Sequence, residues 1–157
     1  MRVNHPFDPI YNEHSKILIL GSFPSVRSRE ENFYYGHPQN RFWKLLAGLY
    51  CEAVPQTVEE KEGFLLRNGI ALWDVISSCE IENSSDGSIR NAEVNDLSRI
   101  FKTADIRAVF TNGKAADRLY RKYHGNTSRC LPSTSPANAA WSLEKLTGAW
   151  AVILEKN

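Results

Sequence analysis

Four short apolar runs, spread along the chain and separated by amphipathic stretches, constrain the fold most strongly. The first of them, KILILG, is ended by a glycine, and the others end at turn or proline residues, as buried strands do. Strands that alternate with helices favour a parallel sheet with helices on both faces. We therefore predict an α/β fold, a three-layer α/β/α sandwich around a short, mostly parallel four-stranded sheet. The predicted strands are residues 16–21, 70–75, 106–111 and 128–132.

Capping residues predict where the helices begin. Asn40 precedes a segment with an apolar helical face. Thr57 and Glu60 form a capping box for the next helix, which should end before Gly69, and Asn95 precedes a short helix. Two later helices are predicted over residues 114–124 and around residues 139–146. The long connections at residues 22–39 and 77–94 are predicted as loops.

The length and composition indicate one domain over residues 1–157. An apolar share of 42% and a charged share of 24% are ordinary for a globular protein. The net charge of +1 excludes binding to a polyanion by bulk charge, so a nucleic-acid site would need local clusters of basic residues. No stretch reaches the roughly 20 apolar residues that span a bilayer, and the N-terminus lacks an apolar signal segment. We expect a cytoplasmic protein that acts as a monomer.

Motifs for metals, cofactors and covalent catalysis are absent from the sequence. The three cysteines, Cys51, Cys79 and Cys130, form no CxxC pair, which disfavours a zinc site or a disulfide framework. No GxGxxG follows the first strand, and no Walker pattern is present. GSFPS after the first strand differs from GxSxG, so a serine hydrolase is disfavoured. We expect neither a metal nor a cofactor.

Polar and aromatic residues follow the carboxyl end of each predicted strand. The four polar loops begin at Ser22, Asp74, Asn112 and Pro132. The carboxyl ends of parallel strands meet at one edge of a sheet, and ligands of open α/β sheets bind at that edge. We therefore expect these loops to form one site.

The residues at this edge suit a planar ring. Asn40 and Asn112 each offer a donor beside an acceptor, which matches the adjacent carbonyl and N–H of a lactam-type nucleobase. Aromatic residues that can stack on such a ring are Phe23, Phe33, Tyr34 and Tyr35. The surrounding basic residues are Arg27, Arg29, Arg41, Lys44, Lys114, Arg118, Arg121 and Lys122. This mixture indicates a base in a pocket with its phosphates outside.

Three segments carry a family resemblance, and they occur in the family's order. HPQNRFWKLL resembles a segment of the mismatch-specific uracil/thymine-DNA glycosylases, and VFTNGKAA resembles their third-strand segment. LPSTSPANAAWSLEKL resembles their DNA-penetrating loop and the helix after it. The chain is thus similar to the uracil-DNA glycosylase superfamily over nearly its whole length. The resemblance implies a monofunctional DNA glycosylase that flips a deaminated base out of DNA and hydrolyses its N-glycosidic bond in base excision repair.

The first motif departs from most of this superfamily. GSFPS places Phe23 where an acid or an amide usually handles the attacking water, which is similar to the hypoxanthine-DNA glycosylase branch. In that branch the amide at the position of Asn40 takes the main catalytic role. The resemblance therefore implies hypoxanthine as the preferred base. Two alternatives stay open: a mismatch-type uracil/thymine-DNA glycosylase, and a non-catalytic nucleic-acid or nucleotide-binding module on the same fold.

The resemblance also implies roles for the residues of the predicted edge. The catalytic residues would be Asn40 and Asn112. The base pocket would be formed by Gly21, Ser22, Phe23, Pro24, Ser25, Tyr34, Tyr35 and His37. DNA would contact Lys114, Pro132, Ser133, Thr134, Ser135, Pro136, Ala137 and Asn138. Structural roles stay open for Asn40 as a helix cap, Asn112 as a turn residue and His37 as a hydrogen-bond partner within its loop. Asp74 could likewise cap the turn after its strand.

The tip of the last polar loop carries no large side chain. Pro136, Ala137 and Asn138 stand where the mismatch-specific branch has a large wedge, so the gap left by a flipped base would be filled poorly. Extrusion should then depend on the weakness of the base pair. We predict faster release of hypoxanthine from weak pairs and single strands than from its pair with cytosine, and Ala137→Leu should narrow this difference. Single-turnover rates that ignore the opposite base, or a variant that slows all substrates equally, would contradict the prediction.

Overall fold

The computed structural model describes residues 2–5, 7–24, 26–31, 33–81 and 88–156. The strands are β1 (Arg2–Asn4), β2 (Ile17–Gly21), β3 (Ile70–Asp74), β4 (Ile76–Glu80), β5 (Arg90–Val94), β6 (Ala108–Asn112) and β7 (Ser128–Leu131). The helices are α1 (Val26–Glu31), α2 (Phe42–Tyr50), α3 (Val58–Arg67), α4 (Ser98–Thr103), α5 (Lys114–His124), α6 (Leu143–Trp150) and α7 (Ile153–Lys156). Among these described helices, none is long and apolar enough to cross a membrane.

The central sheet has four parallel strands in the order β3-β2-β6-β7. Strands β2 and β3 are buried along their whole length, as their apolar runs predict. The chain moves outward from β2 to β3 on one side and from β6 to β7 on the other, so right-handed crossovers place the connecting helices on opposite faces. The predicted α/β fold with a four-stranded parallel sheet is confirmed. Ligands of such sheets bind beyond the carboxyl ends of the two strands where the direction reverses, here β2 and β6.

A second, antiparallel sheet lies where the sequence predicts a loop. Strand β4 pairs with both β1 and β5, and β4 and β5 together occupy most of residues 77–94 that the structure describes. The loop prediction is wrong because these strands are short and rich in polar residues, and the register between them shifts twice, so no clean alternation marks them. Beneath this sheet Ile76, Cys79 and Ile81 are buried in one apolar cluster with Phe23.

The predicted helix ends agree with the structure at α3 and at α5, and they differ at other helices. Thr57 Oγ1 accepts a hydrogen bond from Glu60 N–H at 3.0 Å, and Gly69 follows the helix with a φ of 71°. The connection at residues 22–39 is not entirely a loop, since it contains α1. The last predicted helix starts later than expected, after Ser142, whose hydroxyl oxygen caps it.

Asn95 has a different role from the predicted helix cap. Its Nδ2 donates to the backbone oxygens of Asp74 and Ile76 at 2.9 and 3.2 Å, which joins the end of β3 to the start of β4. Asp96 Oδ1 instead accepts the hydrogen bond from Ser98 N–H, where α4 begins. The cap prediction is wrong because the buried amide finds strand-end carbonyls that lie beside it only in the folded chain.

Asp117 joins α5 to strands β6 and β7. Its Oδ1 accepts hydrogen bonds from the hydroxyls of Thr111 and Ser128 at 2.8 and 2.7 Å, and its Oδ2 accepts one from Arg121 Nε at 2.7 Å. Burial raises the pKa of the Asp117 carboxyl, but the hydrogen bonds from Ser128, Arg121 and Thr111 outweigh burial and hold the pKa below its ordinary value. The ionised carboxyl therefore stabilises the fold, and Arg121 contributes by donating a hydrogen bond to it.

Replacement of this carboxylate should lower stability in a pH-dependent way. Because the folded-state pKa of Asp117 is lowered, its contribution is complete above the unfolded-state pKa near ~3.9 and is lost as the pH falls through the folded-state value. We predict that Asp117→Asn lowers the free energy of unfolding at pH 7 by about 1.5–3 kcal/mol, the range for a hydrogen bond to a charged group. The difference between wild type and variant should shrink in denaturant titrations between pH 5 and about pH 3. A difference that stays constant over this range would contradict the prediction.

Candidate active site

A cavity of about 490 Å³ opens at the carboxyl ends of the parallel strands. Its volume lies within the roughly 300–1,000 Å³ of small-molecule sites. Predicted base-pocket residues that line it are Gly21, Ser22, Phe23, Pro24, Tyr34, Tyr35 and His37. The other predicted residues in its lining are Asn40, Asn112, Ser133, Thr134, Ser135, Pro136 and Ala137. The loops that were expected to converge therefore do form one cavity.

The cavity lining differs from the predicted set of site residues at several positions. Ser25 lies outside the described residues. Pro132 and Asn138 are not in the cavity lining, and Lys114 is an exposed residue at the start of α5. Asp74 lines the cavity rather than only capping a turn, and Ser28 lines it without any signal in the sequence.

Asn40 sits just before α2 and its side chain has a defined orientation. Its Oδ1 accepts a hydrogen bond from Phe42 N–H at 3.0 Å, although α2 itself begins one residue later than predicted, after Arg41. A backbone N–H can only donate, so the oxygen of the amide must face Phe42 and the Nδ2 amino group must face elsewhere. Among the described residues Nδ2 has no hydrogen-bond partner, which leaves it available as a donor in the cavity lining.

The turn before Asn40 is held by two local hydrogen-bond systems. His37 accepts twice: its backbone oxygen from Asn40 N–H at 2.9 Å and its Nδ1 from Gln39 N–H at 3.1 Å. The buried Ser28 accepts from Phe33 N–H with its backbone oxygen and from Gly36 N–H with its hydroxyl, at 3.1 and 2.9 Å. His37 therefore stabilises its loop, and a lone pair on Nδ1 places the hydrogen of its neutral form on Nε2.

Two tyrosines connect this turn to the core. Tyr35 has a left-handed backbone (φ 53°), and its ring stacks on Phe42 with centroids 4.1 Å apart. Tyr34 is 2% exposed and donates its hydroxyl hydrogen to Asp8 O at 2.8 Å. Burial, followed by the nearby Asp74 carboxylate, raises the pKa of Tyr34 well above its ordinary value, so its hydroxyl stays a donor. Both rings form a wall of the cavity and close the core at the same time.

Asn112 and Thr134 both line the cavity and form hydrogen bonds with each other. The Asn112 Oδ1 accepts from Thr134 N–H and its Nδ2 donates to Thr134 Oγ1, both at 3.0 Å. Gly113, with a φ of 97°, permits Ser133 to approach, since a Cβ there would lie 3.1 Å from Ser133 Cβ. Asn112 thus fastens residues 132–138, which we call the serine loop, to the end of β6.

Arg41 fastens the serine loop from the opposite side. Its guanidinium donates to the backbone oxygens of Thr134 at 3.3 Å, Ser135 at 2.8 Å and Asn138 at 3.2 Å, and also to that of Trp141. Its backbone N–H donates to Thr134 O at 3.1 Å. The sequence suggested that Arg41 would face DNA phosphates, whereas the structure places it in contact with the loop. A fork of five N–H groups suits this arrangement, and a lysine could not reproduce it.

Two serine hydroxyls in this loop accept local hydrogen bonds. Ser133 Oγ accepts from Ser135 N–H, and Ser135 Oγ accepts from Ala137 N–H, both at 3.1 Å. These bonds use the oxygen as acceptor, so each hydroxyl hydrogen can still donate to an anion such as a phosphate. Across the described ranges no group of three or more His, Cys, Asp or Glu side chains is arranged to hold a metal ion.

The fold and the cavity together define a class of protein. A short parallel sheet whose strand ends enclose amide, hydroxyl and aromatic groups is the arrangement of a base-flipping DNA glycosylase of the uracil-DNA-glycosylase type. The chain belongs to the uracil DNA glycosylase superfamily, whose family model matches residues 9–154.

Relatives and a solved structure agree with this class. The chain is 34% identical to a hypoxanthine DNA glycosylase of Methanosarcina barkeri over 92% of this chain and 94% of the relative. It is 35% identical to a hypoxanthine DNA glycosylase of Methanosarcina acetivorans over 89% of this chain and 91% of the relative. The solution NMR structure of a candidate uracil DNA glycosylase from M. acetivorans superposes with a TM-score of 0.79 at 31% identity, over 98% of this chain and 99% of that one.

The contacts of Arg41 predict that its replacement will loosen the serine loop. Arg41→Lys removes most of the donors to the loop carbonyls, so amide hydrogen exchange in residues 133–142 should accelerate. The free energy of unfolding should fall by at least about 1.5–3 kcal/mol, the range for one hydrogen bond from a charged donor. Arg118→Lys, at an exposed position of α5, is the matched control and should change neither quantity. Equal exchange in the two variants would contradict the assigned role of Arg41.

Proposed function

We propose that this protein is a monofunctional DNA glycosylase that removes a deaminated base, preferably hypoxanthine, from DNA in base excision repair. The two relatives described as hypoxanthine DNA glycosylases support the choice of base. One observation carries the mechanism: the amide of Asn40 is oriented by Phe42 N–H so that its amino group is a fixed donor in the cavity lining.

A fixed donor suits the chemistry of base release. The bond between C1′ of the sugar and N9 of the purine breaks with its electron pair going to the base, while the sugar becomes oxocarbenium-like. Water then adds to C1′ and loses a proton, and the departed base takes up a proton, which completes the hydrolysis. A donor aimed at the departing base stabilises the charge that develops there, and the loss of one such donor typically costs roughly 10²–10³-fold in rate.

The orientation of Asn40 is established before the substrate binds. Its oxygen is held at 3.0 Å by a backbone N–H at the start of a nine-residue helix, so the amide cannot rotate without losing that hydrogen bond. A donor that needs no reorganisation during the reaction is more effective than a mobile one. Asn112 would act mainly through Thr134, because both of its polar atoms bind that residue.

The serine loop and the start of α5 would contact the DNA backbone. Ser133 and Ser135 can each donate a hydroxyl hydrogen to phosphate, and Lys114 is exposed beside Gly113 where α5 begins. The exposed Ala137 at the loop tip would enter the gap left by the flipped base. The described lining of the cavity includes no lysine, which disfavours a Schiff-base intermediate. We expect the protein to act as a monomer.

A uracil-type glycosylase remains the second candidate, because the structural relative from M. acetivorans is described as a candidate uracil DNA glycosylase. Uracil presents O4 and N3–H in the same relation as O6 and N1–H of hypoxanthine. Base release from otherwise identical inosine- and uracil-containing duplexes separates the two candidates. No release from either duplex, together with binding to both, would instead support a non-catalytic module.

The role of Asn40 can be tested without disturbing its helix. Asn40→Asp keeps an oxygen that accepts from Phe42 N–H, but it replaces the donor by a second acceptor. We predict that this variant releases hypoxanthine at least roughly 10²-fold more slowly in single-turnover assays, while its thermal stability stays close to that of the wild type.

Asn12→Asp is the matched control. Asn12 Oδ1 also accepts from a backbone N–H two residues later, that of His14, at 2.9 Å, and it lies outside the cavity lining. The control should retain the wild-type rate. A near-wild-type rate for Asn40→Asp would refute the assignment of Asn40 as the catalytic donor.

A further inference from the structure

A buried histidine–aspartate pair lies behind the cavity wall. His5 Nε2 and Asp74 Oδ2 are 2.8 Å apart, and the two side chains are 4% and 5% exposed. His5 follows β1 and is anchored by its backbone N–H, which donates to Ser77 O at 2.7 Å. Asp74 ends β3 and lines the cavity, whereas His5 does not.

The hydrogen-bond network assigns a direction to this pair. Phe7 N–H donates to His5 Nδ1 at 3.4 Å, so Nδ1 carries the lone pair. The hydrogen of the imidazole then lies on Nε2 and is donated to Asp74 Oδ2. One oxygen of the carboxylate is thereby occupied, and its plane is held in place by the histidine.

The second carboxylate oxygen, Asp74 Oδ1, lies next to Gly21. Gly21 and Asp74 are partners in the parallel register of β2 and β3, and both line the cavity. A Cβ on Gly21 would overlap Asp74 Oδ1 and lie 3.0 Å from Tyr35 Oη. Only glycine therefore leaves room for this oxygen at the end of β2.

We propose that Asp74 Oδ1 accepts the hydrogen bond of the lactam N–H of the flipped base, N1–H in hypoxanthine, and that His5 is the residue that positions it. This inference rests on the proposed function and names how the base edge is read. Asn40 supplies a donor for the carbonyl and Asp74 supplies an acceptor for the neighbouring N–H. The two groups line the same cavity and together match a carbonyl next to an N–H.

The same pair of groups disfavours adenine and cytosine, whose deamination gives hypoxanthine and uracil. Adenine carries an amino group where hypoxanthine has O6, and its N1 is an acceptor without a hydrogen. Asn40 would then face a donor and Asp74 would face a lone pair, so both hydrogen bonds would be lost. Cytosine has the same reversed edge. Sites that read a group by hydrogen bonds reject analogues without it by roughly 10⁴–10⁵-fold.

The substitution Asp74→Asn tests this reading directly. Since His5 Nε2–H still needs an acceptor, the new amide should turn its oxygen to His5 and its NH₂ group to the cavity. The acceptor for N1–H is then replaced by a donor. We expect release of hypoxanthine to fall at least roughly 10²-fold. Release of unsubstituted purine, whose N1 accepts a hydrogen bond, should be unchanged or faster, so the ratio of the two single-turnover rates should fall.

Two further variants distinguish a positioning role from a structural one. His5→Phe removes the donor to Asp74 and should lower the same rate ratio, while His5→Gln offers an amide hydrogen in its place and should restore much of it. Asp117→Asn makes the same chemical change at a partly buried aspartate outside the cavity lining, and it should leave the ratio at its wild-type value. NMR titrations with free hypoxanthine and free purine give the corresponding binding ratio where purine release is too slow to measure.

The outcomes separate this inference from the proposed function. An equal loss of both rates in Asp74→Asn, or no loss in either, would overturn the reading of N1–H by Asp74 while the wild type still released hypoxanthine. A wild-type protein that released no hypoxanthine would overturn the proposed function instead.

Discussion

The guanidinium of Arg41 connects the two halves of the site. It belongs to the first half of the chain, at the start of α2, and it donates to backbone oxygens that lie 93 to 100 residues later. Asn112 holds Thr134 from the other side with two hydrogen bonds. The serine loop is therefore fastened between β6 and α2 by side chains that reach its backbone. A loop held in this way presents its serine hydroxyls and its tip to a ligand without first having to become ordered, which lowers the entropic cost of binding.

The cavity owes its shape to residues that serve the core as well. Tyr34 and Tyr35 face the cavity, yet one is anchored to Asp8 O and the other stacks on Phe42. Phe23 lines the cavity and is also part of the apolar cluster beneath the second sheet. Because these three aromatic residues are held by contacts with the core, the polar groups beside them in the cavity lining keep fixed orientations. Electrostatic stabilisation of a departing base requires such preorganised groups.

Local patterns in the sequence predicted the parallel sheet and the meeting of the polar loops, and the family resemblance implied most of the residues that line the cavity. Apolar runs mark β2 and β3, and the polar residues after them had to meet at one edge of the sheet. The second sheet, the position of His5 and the role of Arg41 could not be predicted, because each depends on contacts between distant parts of the chain. His5 meets Asp74 across 69 positions, and only the pairing of β1 with β4 brings it there. Asn40 was predicted only in part. The sequence predicted its position before a helix, but the orientation of its amide follows from the hydrogen bond with Phe42 N–H, which only the structure shows.

Hydrogen-bond matching and steric fit give different degrees of selectivity, and this difference indicates which bases the cavity can distinguish. In their proposed roles, Asn40 and Asp74 would read an edge that hypoxanthine and uracil share with guanine and thymine, and that adenine and cytosine reverse. A mismatch of donors and acceptors is worth roughly 10⁴–10⁵-fold in selectivity, whereas a difference in the size of an apolar group is worth only roughly 10–200-fold. Discrimination between a deaminated base and the adenine or cytosine from which it arises would therefore come from the edge and should be strong. Discrimination between a purine and a pyrimidine must come from how well each base fills the cavity of about 490 Å³, which Phe23 and Tyr35 help to line, and it should be much weaker. A preference for hypoxanthine over uracil would then be one of degree within a single class of substrates.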